Sequence, residues 1–424
     1  MLSTYGEILR LNRAWRFSLA AAILRLPSSI MPISVVLSLQ TAYGSYTLAG
    51  AVSAVNIIAL AVFAPLLARL VDRFGQLKIM GPALTMSAIA TTVMFVATYY
   101  VAPPWIVFIS AAIAGGTWGS PGALVRARWI RTTETVAQLN SAFALESAVD
   151  EFVYIVGPVI ATVLGTILHP TTGLAVSVLF LLVGGSLFLA QRSSEPDPVD
   201  RSVQVDENGN VIRQRSLLFL PAMIVLMLTY AGMGAQFGAN DIAVVAFTKE
   251  LGVPAMAGVL LAMFSVGSFI SALIYGARTW RRSLWSLFAI GVVALAIGMS
   301  AYLLARSILT LGIIMLVSGI ACAPTMTNVN MMVTKSVPRH RQTEGLAWLS
   351  TAINLGVSLG SSASGPAVDR YGSTGAYVMI AIFAWLMVLG MLVGLPTLKT
   401  SLLKSAQEEA EHQREVLDED RDDR

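Results

Sequence analysis

Twelve apolar runs, each about as long as a bilayer is thick, leave this chain few ways to fold. A membrane helix needs roughly 20 mostly apolar residues. Runs of that kind, parted by charged or Gly/Pro-rich breaks, fall at 15–40, 47–70, 79–101, 104–125, 138–167, 173–190, 216–247, 254–277, 284–304, 308–333, 345–367 and 374–395. Of the 424 residues, 56% are hydrophobic and only 12% charged, where a soluble domain carries about 25% charged residues. Lipid is the solvent that accepts so much apolar surface, and in lipid the backbone must satisfy its own hydrogen bonds, which runs of this length do as helices. The expected fold class is an all-α membrane protein of twelve transmembrane helices. The run 216–247 is longer than a perpendicular crossing, so it predicts a tilted, bent or protruding helix. The basic N-terminus leads into the first run with no small-residue cleavage site, so that run reads as the first span rather than a signal peptide.

Lysine and arginine set the orientation. With the N-terminus inside, 24 of the 28 basic residues fall in inner segments or the tail. Lys249, Arg306 and Arg370 fall outside, and Arg25 lies within span 1. Both termini are therefore expected in the cytoplasm and the chain in the cell membrane. The net charge of +4 marks the cytoplasmic face and implies no nucleic acid. The tail EEAEHQREVLDEDRDDR is apolar-poor and reads as a solvated, partly disordered segment.

Loop 191–215 is the longest connection and divides the chain into halves at 1–190 and 216–396, with a charged tail at 397–424. The halves echo each other at an offset of 203. "GTWGSP" (116–121) aligns with "GIACAP" (319–324), and "ALESAVDEFVYIVG" (144–157) with "AWLSTAINLGVSLG" (347–360). Weak similarity between six-helix halves is a transporter signature.

The inner loop between spans 2 and 3 reads "ARLVDRFGQLK" (68–78). It resembles the loop motif of the major facilitator superfamily, with Asp72, Arg73, Gly75 and Lys78 matching. Ala68 and Gln76 depart from the pattern. A weaker copy, "GARTWRRS" (276–283), keeps Gly276, Arg281 and Arg282 but lacks the aspartate. Gly157-Pro158 is similar to the Gly-Pro motif of proton-coupled efflux members, without its surrounding glycines. The resemblance implies two pseudo-symmetric six-helix bundles, transport by alternating access, and a central cavity lined by spans 1, 4, 7 and 10. It also implies a latch, in which Asp72 meets Arg73, Arg126 or Arg128, or faces the amide end of span 11 near Glu344–Gly345, where a helix N-terminus attracts an anion. "VDRYG" (368–372) looks like the same motif but falls on the outer face, and reads as a turn.

Span 5 carries Glu146, Asp150 and Glu151 in apolar surroundings. At 1.5 Å per residue Asp150 lies about 18 Å along the span, near mid-depth. Glu146 and Asp150 are four apart and share a face, while Glu151 is turned about 100° away. An ionised acid at that depth costs about 2.5–3.5 kcal/mol on insertion scales, so it is protonated, paired or hydrated. Arg25, about 15 Å along span 1, is the available partner. One arginine does not neutralise three acids, and burial raises the pKa of a leftover carboxyl. Three readings stay open: a proton-coupling site, a static ion pair, and direct substrate contact. His169, His340 and His412 fall in loops or the tail, so none is the relay.

Cavity candidates by the same resemblance are Trp118, Gln236, Asn240, Asp241 and Asn328, with Asn354 standing where Glu151 stands in span 5. Gly116, Gly119, Pro121 and Gly122 predict a pliable span 4, and Pro324 a pliable span 10.

No G-x-x-x-x-G-K-[ST] loop, metal-ligand spacing or Ser-His-Asp constellation occurs, so neither an enzyme nor a cofactor is expected. The lone Cys322 allows no intrachain disulfide. The expected function is secondary active transport of a small molecule by a monomer, proton-coupled and in the direction of efflux. Two rivals remain: proton-linked uptake of a sugar or organic acid, and a membrane sensor or scaffold without flux.

Overall fold

The computed structural model describes residues 7–198, 220–276, 280–337 and 342–422. Among these the regular elements are all helical. We number them α1 (Trp15–Arg25), α2 (Pro27–Tyr43), α3 (Tyr46–Phe74), α4 (Gln76–Tyr99), α5 (Pro104–Trp118), α6 (Pro121–Thr132), α7 (Val136–Ile167), α8 (Thr172–Leu189), α9 (Pro221–Glu250), α10 (Met256–Gly276), α11 (Leu284–Ser300), α12 (Ile308–Ser336), α13 (Gln342–Tyr371) and α14 (Ser373–Asp422). Ten helices among the described residues are long and apolar enough to cross a membrane, α1 and α2 counting as one. The expected spans 4 and 11 are occupied by the α5–α6 pair and by α13, which are too short or too polar to meet that measure. We call the face that holds the chain ends the terminal face, and the opposite one the far face.

Local chemistry sets where the site-bearing helices begin and break. Pro27 has no N–H and kinks the first crossing between α1 and α2. Thr135 and Gln138 form a reciprocal capping box that starts α7 and so sets the register of its acids. The fourth crossing is broken outright at Gly119, whose φ of 68° suits glycine, and Pro121 opens α6 as a first-turn proline. The pliability expected of span 4 is thus a discrete break. Helix α12, by contrast, runs through Pro324 uninterrupted.

Helix α9 packs along α13 and α14, and α10 along α12; before the linker, α3 packs on α5, and α1 on α8. The sides meet where α3 lies along α13 and α7 along α10. Gly184 shows how close the packing is, because a Cβ there would run into the backbone of Ile23 and Leu24. This contact fixes the depth of α1 and hence of Arg25. Gly184→Ala is expected to destabilise the detergent-solubilised protein by about 1–3 kcal/mol through overpacking, read as a lower thermal midpoint.

Two expectations meet a different outcome or fall outside the description. The tail, read as partly disordered, continues α14 as helix to Asp422. Glu, Lys, Gln, Arg and Ala are strong helix formers, and extending an existing helix needs no new nucleus. Residues 199–215 of the linker, Arg278 of the weaker loop copy, and Arg339, His340 and Arg341 lie outside the described residues.

Candidate functional site

The ion cluster is built from three helices. Arg25 ends α1 and is buried, its Nε donating to the Ala21 carbonyl at 3.1 Å. Its Nη2 pairs with Glu146 Oε2, and its Nη1 donates to Asp150 Oδ1 at 2.7 Å. Glu146 is 0% exposed. Its Oε1 accepts from Ser18 Oγ and Trp129 Nε1, both at 2.7 Å. Asp150 Oδ2 accepts from Arg126 Nη2 at 2.9 Å. Charge therefore alternates along the chain Glu146, Arg25, Asp150, Arg126 and sums to zero.

Burial grades the two acids. Glu146 is sealed by donors from α1 and α6, whereas the side chains of Asp150 and Arg126 are each 33% exposed. Charge-assisted bonds of this geometry are the strong ones, and a buried pair needs them to offset its desolvation.

The structure brings together Arg25, Glu146 and Asp150 as the sequence suggested, and leaves Glu151 aside. Glu151 is half-buried and makes no hydrogen bond or ion pair with the described residues. Arg126 was grouped with the gating loop, but its guanidinium goes to Asp150. The leftover-charge argument therefore shifts: two arginines balance Glu146 and Asp150, and Glu151 is the acid left over. Ser18 and Trp129 were missed. Their signals were available, since Ser18 and Arg25 stand two turns apart on α1, and Arg126 and Trp129 are three apart on α6.

The loop motif sits at the terminal face. Asp72 and Arg73 are exposed in the last turn of α3, Gly75 turns the chain with φ 94°, and Lys78 is exposed in the first turn of α4. Arg73 lies over the Phe74 ring. Gln76, the departure from the motif, is buried. It donates to the Leu124 carbonyl at 3.1 Å and accepts from Arg128 Nε at 2.8 Å. Arg128, expected beside Asp72, also donates to the Gln191 carbonyl and Ser194 Oγ, both at 2.9 Å, and stacks on Phe188. Burial pulls its pKa down to about 10 while the Glu195 charge works to raise it, so it stays charged at neutral pH. Glu195 Oε1 accepts from Leu77 N at 2.9 Å and so caps the start of α4. Arg131 donates to the Glu195 carbonyl and pairs with Asp197 at 3.1 Å. The first residues of the linker are thus clasped to the motif. Arg25, Arg128 and Glu146 are the fully buried charged residues among those described, and all three precede the linker.

The expected cavity residues fare differently. Gln236, Asn240 and Asn328 are buried. Gln236 Nε2 donates to the Gly232 carbonyl and to Met387 Sδ, and Asn328 Oδ1 accepts from Tyr275 OH at 2.6 Å. Gln236 Oε1, Asn240 Oδ1 and Asn328 Nδ2 are buried without a hydrogen-bond partner among the described residues. Trp118 packs against the core around α1, α4 and α6. Asp241 is half-buried without a hydrogen bond or ion pair among the described residues, and Asn354 is half-buried.

Comparison with known proteins places the fold. The model of the Major Facilitator Superfamily matches residues 17–277 and 223–417. Macrolide efflux protein A of Streptococcus pyogenes is 25% identical over 266 residues, which is 60% of this chain. The chain spans 64% of the length of the curated relatives it matches. Among solved structures, the nucleoside transporter NupG superposes with a TM-score of 0.65 at 16% identity, covering 90% of this chain and 98% of that one. A bacterial homolog of the human lysosomal transporter Spinster, in an inward-facing and occupied conformation, gives 0.64 at 14% identity over 94% and 97%. The POT family transporter PepTSo gives 0.69 at 11% identity over 93% and 99%.

Proposed function

We propose that this chain, which belongs to the Major Facilitator Superfamily, exports a small amphipathic molecule across the cell membrane by alternating access, driven by protons. The observation that carries the reading is Asp150, a one-third-exposed acid near the middle of α7 that bridges two arginines on different helices. Protonating Asp150 removes half the negative charge from the cluster. Arg126 then loses its charged partner, and α6, separated from α5 by the break at Gly119, is held to α7 by the remaining bond from Trp129 to Glu146. A proton at one acid thereby biases which arrangement of the helices is favoured. Glu146 holds Arg25 throughout and is the fixed post of the device. Glu151 and Asp241 are the acids left for substrate or a second proton. The placement of lysine and arginine puts the terminal face in the cytoplasm. The cluster is complete within one chain, which supports a monomer as the working unit.

The likeness to a macrolide efflux protein favours export of an amphipathic compound over uptake of a polar solute.

The test uses purified protein in liposomes loaded with a pH-sensitive dye, challenged with macrolides, lipophilic cations, sugars and organic acids. Proton movement linked to the amphipathic compounds is expected. Labelled compound crossing without proton movement would make this a facilitator or a carrier driven by another ion. No flux of any compound would favour a sensor or scaffold.

A further inference from the structure

On the far face a carboxylate from one side of the linker caps a helix from the other. The last turn of α13 carries Asp369. Its Oδ1 accepts from Tyr46 N at 2.8 Å, and its Oδ2 from Thr47 N at 2.8 Å, Thr47 Oγ1 at 2.6 Å and Ser45 Oγ at 3.1 Å. Ser45 Oγ in turn accepts from Leu48 N at 3.1 Å. The first free amides of α3, which every helix leaves without an internal partner, are thus satisfied, two of them from across the interface.

The contact ends a continuous seam. Ser358, Ser361, Gly365 and Asp369 recur at helical spacing on one face of α13. Ser358 Oγ donates to the Ala54 carbonyl at 3.3 Å. A Cβ on Gly50 would strike the Ser361 backbone, and one on Gly365 the backbone of Tyr46 and Thr47. Nearby, Lys249 Nζ donates to Gln40 Oε1 at 2.5 Å, also across the two sides. The α3–α13 seam is closed at the far face.

The sequence at this point repeats. "VDRYG" (368–372) ends α13 as "VDRFG" (71–75) ends α3. Each closes on a glycine with positive φ, Gly372 at 66° and Gly75 at 94°. Each is followed by a helix whose first turn is capped by a carboxylate: Glu250 on Ser373, and Glu195 on Leu77. In a fold made of inverted three-helix repeats, both pentapeptides end the middle helix of a triplet, at opposite faces. The reading of "VDRYG" as a mere turn is therefore superseded.

We propose that Asp369 is the far-face latch of the transport cycle, holding α3 against α13 while the far side is shut and releasing the α3 amides to water when it opens. The inference rests on the alternating-access reading above. Partial burial pushes the Asp369 carboxyl up, but the bonds from Thr47, Tyr46 and Ser45 outweigh it and hold the group below the usual carboxylate range. It is charged at neutral pH, as a cap for a helix N-terminus requires.

The test measures how often the seam opens. Ser358 is buried in the seam, so in full-length protein with Cys322→Ser, a Ser358→Cys thiol reacts with a membrane-impermeant maleimide only through the open state. Asp369→Asn, which keeps the shape, and Asp369→Ala are expected to speed alkylation about fivefold, the population change that losing one helix cap produces. An unchanged rate in both variants overturns the latch. In parallel, native Cys322, buried in α12, is probed in Asp369→Asn without the new thiol; an equal rise there means global loosening and also overturns it. Flux is read separately. Faster alkylation with no transport of any compound keeps the latch and removes the transport reading, while unchanged alkylation with intact transport does the reverse.

Discussion

Arg25→Ala is expected to destabilise the protein by about 3–5 kcal/mol, the cost of leaving a buried charge without its partner. Glu146 is fully buried and would keep Ser18 and Trp129 as donors but lose its counter-ion. Asp150 would retain Arg126. The loss is read as a fall in the unfolding midpoint of the detergent-solubilised protein. The reciprocal change, Glu146→Ala, should cost a similar amount. Combining Arg25→Met with Glu146→Leu should recover much of it, because replacing both members of a buried pair by apolar groups of similar volume is often neutral. Additive losses in the double variant would mean the two side chains do not act as a pair.

Asp150→Asn is expected to leave a folded protein that has lost all substrate-linked proton movement. Asparagine keeps the size of aspartate and an oxygen that can accept from Arg25, but it fixes the cluster in the equivalent of the protonated state. The two outcomes are expected to separate, stability following Glu146 and coupling following Asp150, although the residues are one helical turn apart. Normal proton movement in liposomes containing Asp150→Asn would reduce the cluster to a structural ion network.

Much of this was legible in the sequence because it is written in short-range terms. Apolar runs of bilayer length gave the helices, and an i, i+4 pair of acids opposite a lone arginine gave the core of the site. Arg126 was misplaced because its role depends on the break at Gly119, which swings α6 toward α7; spacing within a helix does not reveal how its neighbour is turned. The role of Gln236 and Asn328 was not legible, because a polar side chain in an apolar helix has the same appearance whether it faces a cavity or bonds another helix. Asp369 was overlooked for a third reason. Its partners are backbone amides of α3, more than three hundred positions earlier, and backbone amides leave no trace in side-chain identity.

The fully buried charges among the described residues all precede the linker, and this separation has a consequence for substitution. Glu146 takes its donors from Ser18, Arg25 and Trp129, so drift at any one of these positions is penalised unless the others change with it. The helices from α9 onward bear no fully buried charge among the described residues. A substitution within this set is therefore expected to need a compensating change at a second of its positions, which a change at an exposed position in either half does not.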